Sequence, residues 1–508
     1  MQGGAKRALQ SIIAHQDIRV DFPPAVLAEI SAIQRAPGID DPSLTDLTRI
    51  PFVTIDYTES RDLDQAMHIQ REGDGFLVRY ALADAAYYVR PDSALFAEAL
   101  ARGVSLYLPG LTIPMLPREL CEDLVSLLPG VDRRAVVFEL HLDRRGLARR
   151  TKILRGRIRS QAKLSYDWVQ ARYDAGAGAD SPWAETLALL AVVGQLRLAD
   201  ARQRDVIAFD RADTEVDVDP EGSAFCIRVQ PRNDASRYNE QISLLCNIEG
   251  ARLLVSRGKP QVQPVFRVHE PPPPAALTRL RGIIGSMVRA HGLPPEIVWR
   301  DAPRESLADY LLRLRAGQVS SAVVQTIERQ ALYTGQRSTF SAQPGQHYAL
   351  GVSPYARFSA PMREIVGVFT HKEALEMLQL EPPADDRADE RLRDQVIAAA
   401  NSGKERQQRL EKRVMGAFID QLLTGDLELP ADRRPARRGT IVGISPNRLY
   451  VLLDDSLVDL KVYLEGSWEL QEEAALVGPD RQFTLGDVVH IRTQDRDSRG
   501  RWRLIPVA

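Results

Sequence analysis

Apolar positions recur at helical spacing over residues 5–14 and again over 26–30, where Pro23-Pro24 suits a helix start and Pro37-Gly38 breaks the pattern. Residues 1–48 therefore predict a small helical lobe, either helix-turn-helix-like or a strap on the main body. From Arg49 to about Gln161 the pattern is mixed. Residues 76–89 read as a strand whose alternation weakens toward Ala85. Residues 105–130 read as a proline-punctuated loop followed by a short helix, and AVVFELHLD with TKILRGRIRS as a strand pair around Arg144-Arg145-Gly146. The middle is helix-rich, with helices expected over 183–204, 240–255, 275–291, 306–332 and 366–380. A long charged helix follows over 389–423, with Gly403 as a candidate interruption. A basic, apolar-poor stretch, LPADRRPARR, marks a break. Beyond it five short strand patterns in roughly 70 residues predict a small OB-type barrel. The expected class is α+β: a helical lobe (1–48), a large mixed body (49–430) and a C-terminal barrel (431–508).

Composition narrows this little. The 508 residues suit two to four domains, and 44% hydrophobic with 26% charged residues is ordinary for a globular protein. No apolar run is long enough to span a bilayer, and the N-terminus lacks a secretory signal pattern. Cys121, Cys226 and Cys246 show no metal-ligand spacing, so reduced thiols in a cytoplasmic protein are expected. A net charge of −2 argues against loose, non-specific nucleic-acid binding but leaves room for an internal basic channel.

The candidate chemistry begins in FVTIDYTESRDLDQAMH. Val53-Thr54-Ile55 should deliver Asp56 at a strand end. If the segment after the loop is extended, Asp62 and Asp64 face one side, because strand side chains alternate. Clustered carboxylates favour a hard divalent cation, Mg²⁺ or alternatively Mn²⁺. The spacing alone is more often that of a solvated acidic loop, and only the rest of the chain raises it. No Walker loop, G-x-G-x-x-G or G-x-S-x-G is present. In the C-terminal barrel, Arg433, Arg434, Arg437, Arg438, Arg448, Tyr450, Lys461 and Tyr463 offer the basic and aromatic groups with which such barrels hold single-stranded nucleic acid.

Taken with the segments that follow, TIDYTESRDLDQAM resembles the signature of the ribonuclease II/ribonuclease R (RNB) family of 3′-to-5′ exoribonucleases. YALADAAYYVRPDSAL, RGVSLYLPGLTIPMLPRELCEDLVSL, IRSQAKLSY, NEQISLLCNIEGARLL, VFRVHEPP, HYALGVSPYARFSAPMRE and RLEKRV follow in family order. The resemblance covers roughly residues 51–423, and the terminal barrel resembles the family's S1 domain. It implies a metal-dependent hydrolase that degrades single-stranded RNA processively from the 3′ end to nucleoside 5′-monophosphates in RNA turnover; a monomer is expected, because a single-strand channel can be closed within one chain. It places the metal-binding carboxylates on Asp56, Asp62 and Asp64, with Gln65 where the family has a fourth aspartate. It places Arg363 beside the scissile phosphate, Tyr107 stacked on the terminal base and Glu411 near the cleaved phosphate. Phe266, Arg267 and His269 are implied as RNA-channel or channel-supporting residues, His269 by itself reading as a structural histidine, with His347, Tyr348 and Arg357 as similar channel candidates; Arg437, Arg438, Tyr450 and Lys461 are the expected RNA contacts of the barrel. The better-known bacterial members carry two cold-shock barrels ahead of the body; residues 1–48 are too few to hold them, so an entrance more open to structured RNA is expected. The uncharged Gln65 keeps a second reading in view, a non-catalytic RNA-binding paralogue. A third, a phosphodiesterase of small nucleotides, follows from the carboxylates alone.

Overall fold

In the computed structural model, which describes residues 3–176, 180–207, 213–230, 232–256, 262–300, 305–382, 386–498 and 500–507, two short helices precede the body: α1 (Gly4–His15) and α2 (Pro24–Arg35). They do not share a core. Ala5 and Leu9 of α1 pack into the cluster that also holds Leu410 and Val414, whereas Val26 and Ile30 of α2 join the cluster around Leu95 and Phe369. Each helix is a strap on a different part of the molecule.

The body is built on β1 (Thr45–Asp46), β2 (Phe52–Asp56), β3 (Gln65–Glu72) and β4 (Gly75–Ala83), then α3 (Ala85–Tyr88) and α4 (Ala94–Arg102). A hairpin, β5 (Leu106–Leu108) with β6 (Leu111–Ile113), and a π-helical turn at Leu120–Leu124 lead to β7 (Asp132–Leu142) and β8 (Ala148–Ser165). The 18-residue β8 pairs with β7 antiparallel through Arg159, then with β2 in parallel from Ser160 onward. With β2–β3, β3–β4 and β4–β7 antiparallel, that switch closes the sheet on itself. The strand expected over 76–89 stops at Ala83. Asp84 is fully buried and turns to meet the Arg155 guanidinium, Nε to Oδ2 2.7 Å, and an unpaired carboxylate there would be costly.

Helices cover the closed sheet: α5 (Tyr166–Asp174) and α6 (Ala184–Gln203), the hairpin β9 (Asp213–Val218) and β10 (Phe225–Gln230), then α7 (Asp234–Ser256). The pair β11 (Phe266–Val268) and β12 (Thr339–Ser341) brackets α8 (Pro274–Ala290), α9 (Leu307–Ala316) and α10 (Ser321–Thr334). The single helix expected over 306–332 is thus two. Gly317 ends α9, and the Ser320 hydroxyl caps α10 by accepting from the Val323 N–H. Next come α11 (Ile365–Met377) and the 42-residue α12 (Asp386–Leu427), about 60 Å long at 1.5 Å per residue. Gly403 does not interrupt α12. Its missing side chain lets the helix lie against Val104, whose methyl would be 3.0 Å from a Cβ there.

The C-terminal strands are β13 (Arg437–Ser445), β14 (Arg448–Leu453), β15 (Asp459–Tyr463), β16 (Glu469–Gln471), β17 (Ala475–Val477), β18 (Gln482–Thr484), β19 (Val488–Arg496) and β20 (Trp502–Val507). Five of them form one sheet in the order β15-β14-β13-β19-β20, whose two edge strands touch, the OB-type arrangement. The three-stranded sheet β16–β18 inserted between β15 and β19 was not anticipated, because its strands are only three residues each. Asp426 at the end of α12 joins barrel to body: it pairs with Arg437 at 2.7 Å and accepts from the Thr493 hydroxyl at 2.8 Å.

Candidate active site

The apolar run of β2 ends at Asp56 as expected. The Asp56 carboxylate accepts from the Tyr57 N–H at 2.7 Å and the Ser60 hydroxyl at 3.0 Å, which folds the polar loop back on itself. Lys163 of β8 pins the loop from the other side by donating to the Thr58 and Ser60 carbonyls. The next stretch is not extended: the Asp64 N–H donates to the Asp62 carbonyl at 3.1 Å, and β3 begins only at Gln65. Leu63 is buried, and the Ser126 hydroxyl accepts from its N–H and donates to the Arg61 carbonyl. That anchor sets where the two carboxylates emerge.

Asp64 is 1% exposed, and both its oxygens are engaged by the loop that precedes α11. One accepts from the Met362 N–H at 2.9 Å, the other from Arg363 Nε at 2.6 Å. Burial pushes the Asp64 carboxyl up to about 6 despite Arg363, with Asp62 adding to the rise. Burial likewise raises Asp62, against Arg363 and with a contribution from Asp56. For Arg363, burial opposes the charge, but Asp64, Tyr107, Asp62 and Asp56 together hold the guanidinium firmly protonated. The structure therefore brings the three aspartates and Arg363 into one electrostatic unit.

Tyr107 joins them from β5. The Arg363 guanidinium donates to its hydroxyl, burial pushes that hydroxyl up to about 12, and the residue remains 45% exposed. Its main chain is clamped by Gln407 of α12, whose side chain accepts from the Tyr107 N–H at 2.9 Å and donates to its carbonyl at 3.0 Å. The same amide donates to Glu411 at 3.0 Å, so the exposed Glu411 carboxylate is held one helical turn from the hairpin. Gln407 was not singled out in the sequence; its only signal was its place four residues before Glu411.

Gln65, expected as a fourth metal ligand, is committed inside the protein. Its amide oxygen accepts from the fully buried Tyr80 hydroxyl, and its nitrogen donates to the Ser359 carbonyl at 2.5 Å. It ties β3 and β4 to the loop that carries Arg363. Asn247 of α7 ties the same loop from behind: its oxygen accepts from the Phe358 and Ser359 N–H groups, and its nitrogen donates to the Tyr355 and Ser359 hydroxyls. A polar residue on the apolar face of NEQISLLCNIEGARLL was the available clue. Gly367 lets α11 approach this loop, since a Cβ there would lie 2.8 Å from Pro361 Cα.

The expected channel residues divide. Phe266 is 1% exposed and packs in the core, so its ring cannot reach a base; the apolar residue opening a short strand pairs inward. His269 is also structural. Its Nε2 faces the Gln336 carbonyl at 2.7 Å and its Nδ1 faces the Ala349 N–H at 3.2 Å, which fixes the ring on backbone groups. His347 is buried, and burial reinforced by Arg267 lowers it to about 4. Tyr348 packs edge-on against His269 and is half-buried. Arg267 and Arg357 stay close to the site, partly exposed. In the barrel, Arg437 is held by the buried Asp426 and by Asp455, which commits it to the fold, whereas Arg438 makes an exposed pair with Asp454. Arg434 likewise donates to the Thr493 and Gln494 carbonyls. Tyr450 lines a groove of about 450 Å³ between barrel and body with Arg279 and Tyr333, and Lys461 lies opposite it in register on β15, on that strand's exposed face.

Among the described residues, the group of three carboxylates whose oxygens lie within 4.8 Å of one another is elsewhere: Glu373, Glu376 and Asp389. Lys372 Nζ already sits among them, 2.9, 2.9 and 2.7 Å away, so an ammonium fills the place a metal would take. Asp56, Asp62 and Asp64 are spread more widely, because Asp64 is turned onto Met362 and Arg363.

Residues 44–378 match the family model described as the RNB domain. The chain belongs to the RNB family. It is 30% identical over 367 residues to ribonuclease R of Vibrio parahaemolyticus, a match spanning 71% of this chain and 42% of that protein. It is 31% identical over 387 residues to exoribonuclease 2 of Edwardsiella piscicida, spanning 74% and 56%. The matches thus span about half the length of these curated relatives. Among solved structures, Mycoplasma genitalium RNase R in complex with ribose-methylated single-stranded RNA superposes with a TM-score of 0.88 at 21% identity, over 99% of this chain and 78% of that one. Yeast Ssd1, a pseudonuclease, superposes with a TM-score of 0.64 at 14% identity, over 87% and 53%. At such identities both likenesses concern the fold.

Proposed function

We propose that this chain is a processive 3′-to-5′ hydrolytic exoribonuclease that degrades single-stranded RNA to nucleoside 5′-monophosphates, acting as a cytoplasmic monomer in RNA turnover. The observation that carries the reading is the Asp64–Arg363 pair at 2.6 Å beneath the half-exposed Tyr107, which combines acid cluster, cation and aromatic face in one place. No helix among the described residues is long and apolar enough to cross a membrane.

The donor set suits a divalent cation. Asp56, Asp62 and Asp64 are hard oxygen ligands, and burial together with mutual repulsion raises Asp62 and Asp64, a strain that a cation relieves. Mg²⁺, with Mn²⁺ as the alternative, would be held by these three residues and would supply activation of water and stabilisation of the leaving 3′-oxygen. The chain's own groups do the rest. Arg363 presents fixed positive charge to the scissile phosphate, where preorganised charge lowers the barrier. Tyr107 offers its ring to the terminal base, a sequence-tolerant contact. Glu411, held by Gln407, borders the same hairpin, on the side where the cleaved phosphate would lie.

One observation favours the second reading, a non-catalytic RNA-binding paralogue: the residue at the fourth acidic position is an amide already engaged by Tyr80 and Ser359. A time course on 5′-labelled single-stranded RNA with Mg²⁺ separates the two. Conversion of full-length RNA to a short limit product without intermediates, abolished by Asp64→Asn, supports the exonuclease. RNA bound but uncut by both proteins, with Mn²⁺ as well as Mg²⁺, overturns it in favour of the binding protein.

A further inference from the structure

The hairpin that carries Tyr107 pairs along one edge with β6, and its outer edge is held in two different ways. Upstream, Val104 forms an antiparallel bridge with Glu364: the Ser105 N–H donates to the Arg363 carbonyl at 2.9 Å, and the Ile365 N–H to the Gly103 carbonyl at 3.0 Å. Two residues on, the Tyr107 N–H and carbonyl turn to the same side, because the pleat repeats every second residue. Among the described residues no strand meets them there. The Gln407 amide takes the place of a strand. Its oxygen accepts from the Tyr107 N–H at 2.9 Å, and its nitrogen donates to the Tyr107 carbonyl at 3.0 Å. The same nitrogen donates to the Glu411 carboxylate at 3.0 Å.

This chemistry calls for a primary amide. It presents an acceptor and two donors in one plane, which is the pattern of a peptide group with one donor to spare. Glutamate has no donor, lysine has no acceptor, and asparagine reaches one methylene less far from helix to hairpin. A three-residue strand paired with a single partner strand has little stability of its own. Where the Tyr107 ring stands relative to Arg363 is therefore decided from α12 as much as from the hairpin.

We infer that Gln407 is a positioning residue, which holds Tyr107 against the terminal base of the RNA and couples that grip to the Glu411 carboxylate. It acts through these two residues and touches no reacting atom itself. One amide spans both, so a shift of the hairpin is passed to Glu411 and a shift of Glu411 is passed to the hairpin. The inference rests on the proposed function, because it takes the 3′ end of RNA as what Tyr107 meets.

The test compares two labelled single-stranded RNAs of one sequence, the second lacking only the base of its 3′-terminal nucleotide. Equilibrium binding to the full chain is measured in EDTA, so that nothing is cut. One base stacked on an aromatic ring is worth about 5- to 150-fold in affinity, and the wild-type chain should prefer the complete RNA by at least the lower figure. Gln407→Met keeps a good helix former of similar length and removes all three hydrogen bonds. It should cut the preference to below about half its wild-type value, with little change in affinity for the base-less RNA. A general loss of folded protein lowers both affinities together and leaves their ratio alone. If Gln407→Met fails to fold, Gln407→Glu, which keeps the acceptor and loses both donors, is read in the same way. In single-turnover cleavage with Mg²⁺, Gln407→Met and Glu411→Gln should combine to less than the product of their separate effects, and a full product overturns the coupling. A wild-type preference in Gln407→Met overturns the positioning role and leaves the proposed function standing. Equal binding of the two RNAs by the wild-type chain also overturns it, by parting Tyr107 from the terminal base. Absence of RNA binding by the wild-type chain overturns the proposed function as well.

Discussion

Replacing Gln65 by aspartate separates the fold's use of this position from its use by a metal. Gln65 donates to the Ser359 carbonyl at 2.5 Å and accepts from Tyr80, and both partners are buried to 1% exposure or less. Aspartate is one methylene shorter and has no donor. The Ser359 carbonyl loses its partner, at about 1–3 kcal/mol for a buried group left unsatisfied. The Tyr80 hydroxyl is stretched from its acceptor, at a similar cost, and a further negative charge lies near Asp62 and Asp64. In EDTA the variant should be less stable by about 2–5 kcal/mol, read as a lower thermal midpoint. With Mg²⁺ the order of effects changes. One extra unit charge about 4 Å from a unit cation gains about 4 kcal/mol at an effective dielectric of 20, before desolvation is subtracted. Even a third of that gain, about 1.4 kcal/mol, tightens the metal ten-fold. A Mg²⁺ titration followed by thermal unfolding should therefore show a larger rise in midpoint, at lower half-saturation, for Gln65→Asp than for wild type. Equal stability in EDTA would show that the two hydrogen bonds do not support the loop. An identical Mg²⁺ response would show that position 65 does not face the cation site.

Other substitutions read the remaining parts of the site. Tyr107→Ala should weaken single-stranded RNA by about 1–3 kcal/mol, the worth of one base–aromatic contact; fluorescence anisotropy with wild-type affinity would remove Tyr107 from the binding surface. Arg363→Lys keeps the charge but loses Nε to Asp64, so turnover should fall at least ten-fold, with a smaller change in KM, in a single-turnover assay of RNA release. Glu373 carries a pH signature: burial, opposed by Lys372, raises its carboxyl to about 7 from 4.5. Because the folded state holds that proton more tightly, stability should decline as pH rises from about 4.5 to about 7 and level off above. Glu373→Gln should flatten that decline in thermal midpoints measured across the same window.

The sequence was most readable where one local rule decides the outcome. The β-branched run that ends at Asp56, the strand pair around Gly146 and the five barrel strands each follow from period and turn residues, and the structure places them so. It was less readable where a distant partner decides. Asp84 ends β4 early because Arg155 lies across the sheet, and nothing within residues 76–89 announces that ion pair. Position 65 reads as a metal ligand by alignment with its neighbours, yet its oxygen is taken by Tyr80 from the adjacent strand. Arg437 reads as an RNA contact by residue type and Phe266 by resemblance; a partner at Asp426 holds the one, and a place in the core leaves the other a supporting role. The tethers Gln407, Lys163 and Asn247 carry little sequence signal, because each acts on backbone groups that could belong to any residue.

The way the site is tied together has a consequence for how it can be altered. Asp64 and Arg363 lie 299 positions apart and are joined at 2.6 Å, so neither has its geometry without the other. The loop between Phe358 and Arg363 is held from three directions: by Asn247 behind, by Gln65 beside and by the Asp64 carboxylate in front. Each tether engages backbone groups of that loop, which sequence changes within the loop leave intact. Side chains around it can therefore vary as long as the three tethers persist, whereas loss of one tether shifts Arg363 relative to all three aspartates at once. A displacement of even 1 Å matters for chemistry as well as for folding, since reacting groups must be aligned to that precision. Damage to Asn247 or Gln65 should consequently lower turnover per folded molecule in addition to its cost in stability, read by normalising the cleavage rate to the folded fraction.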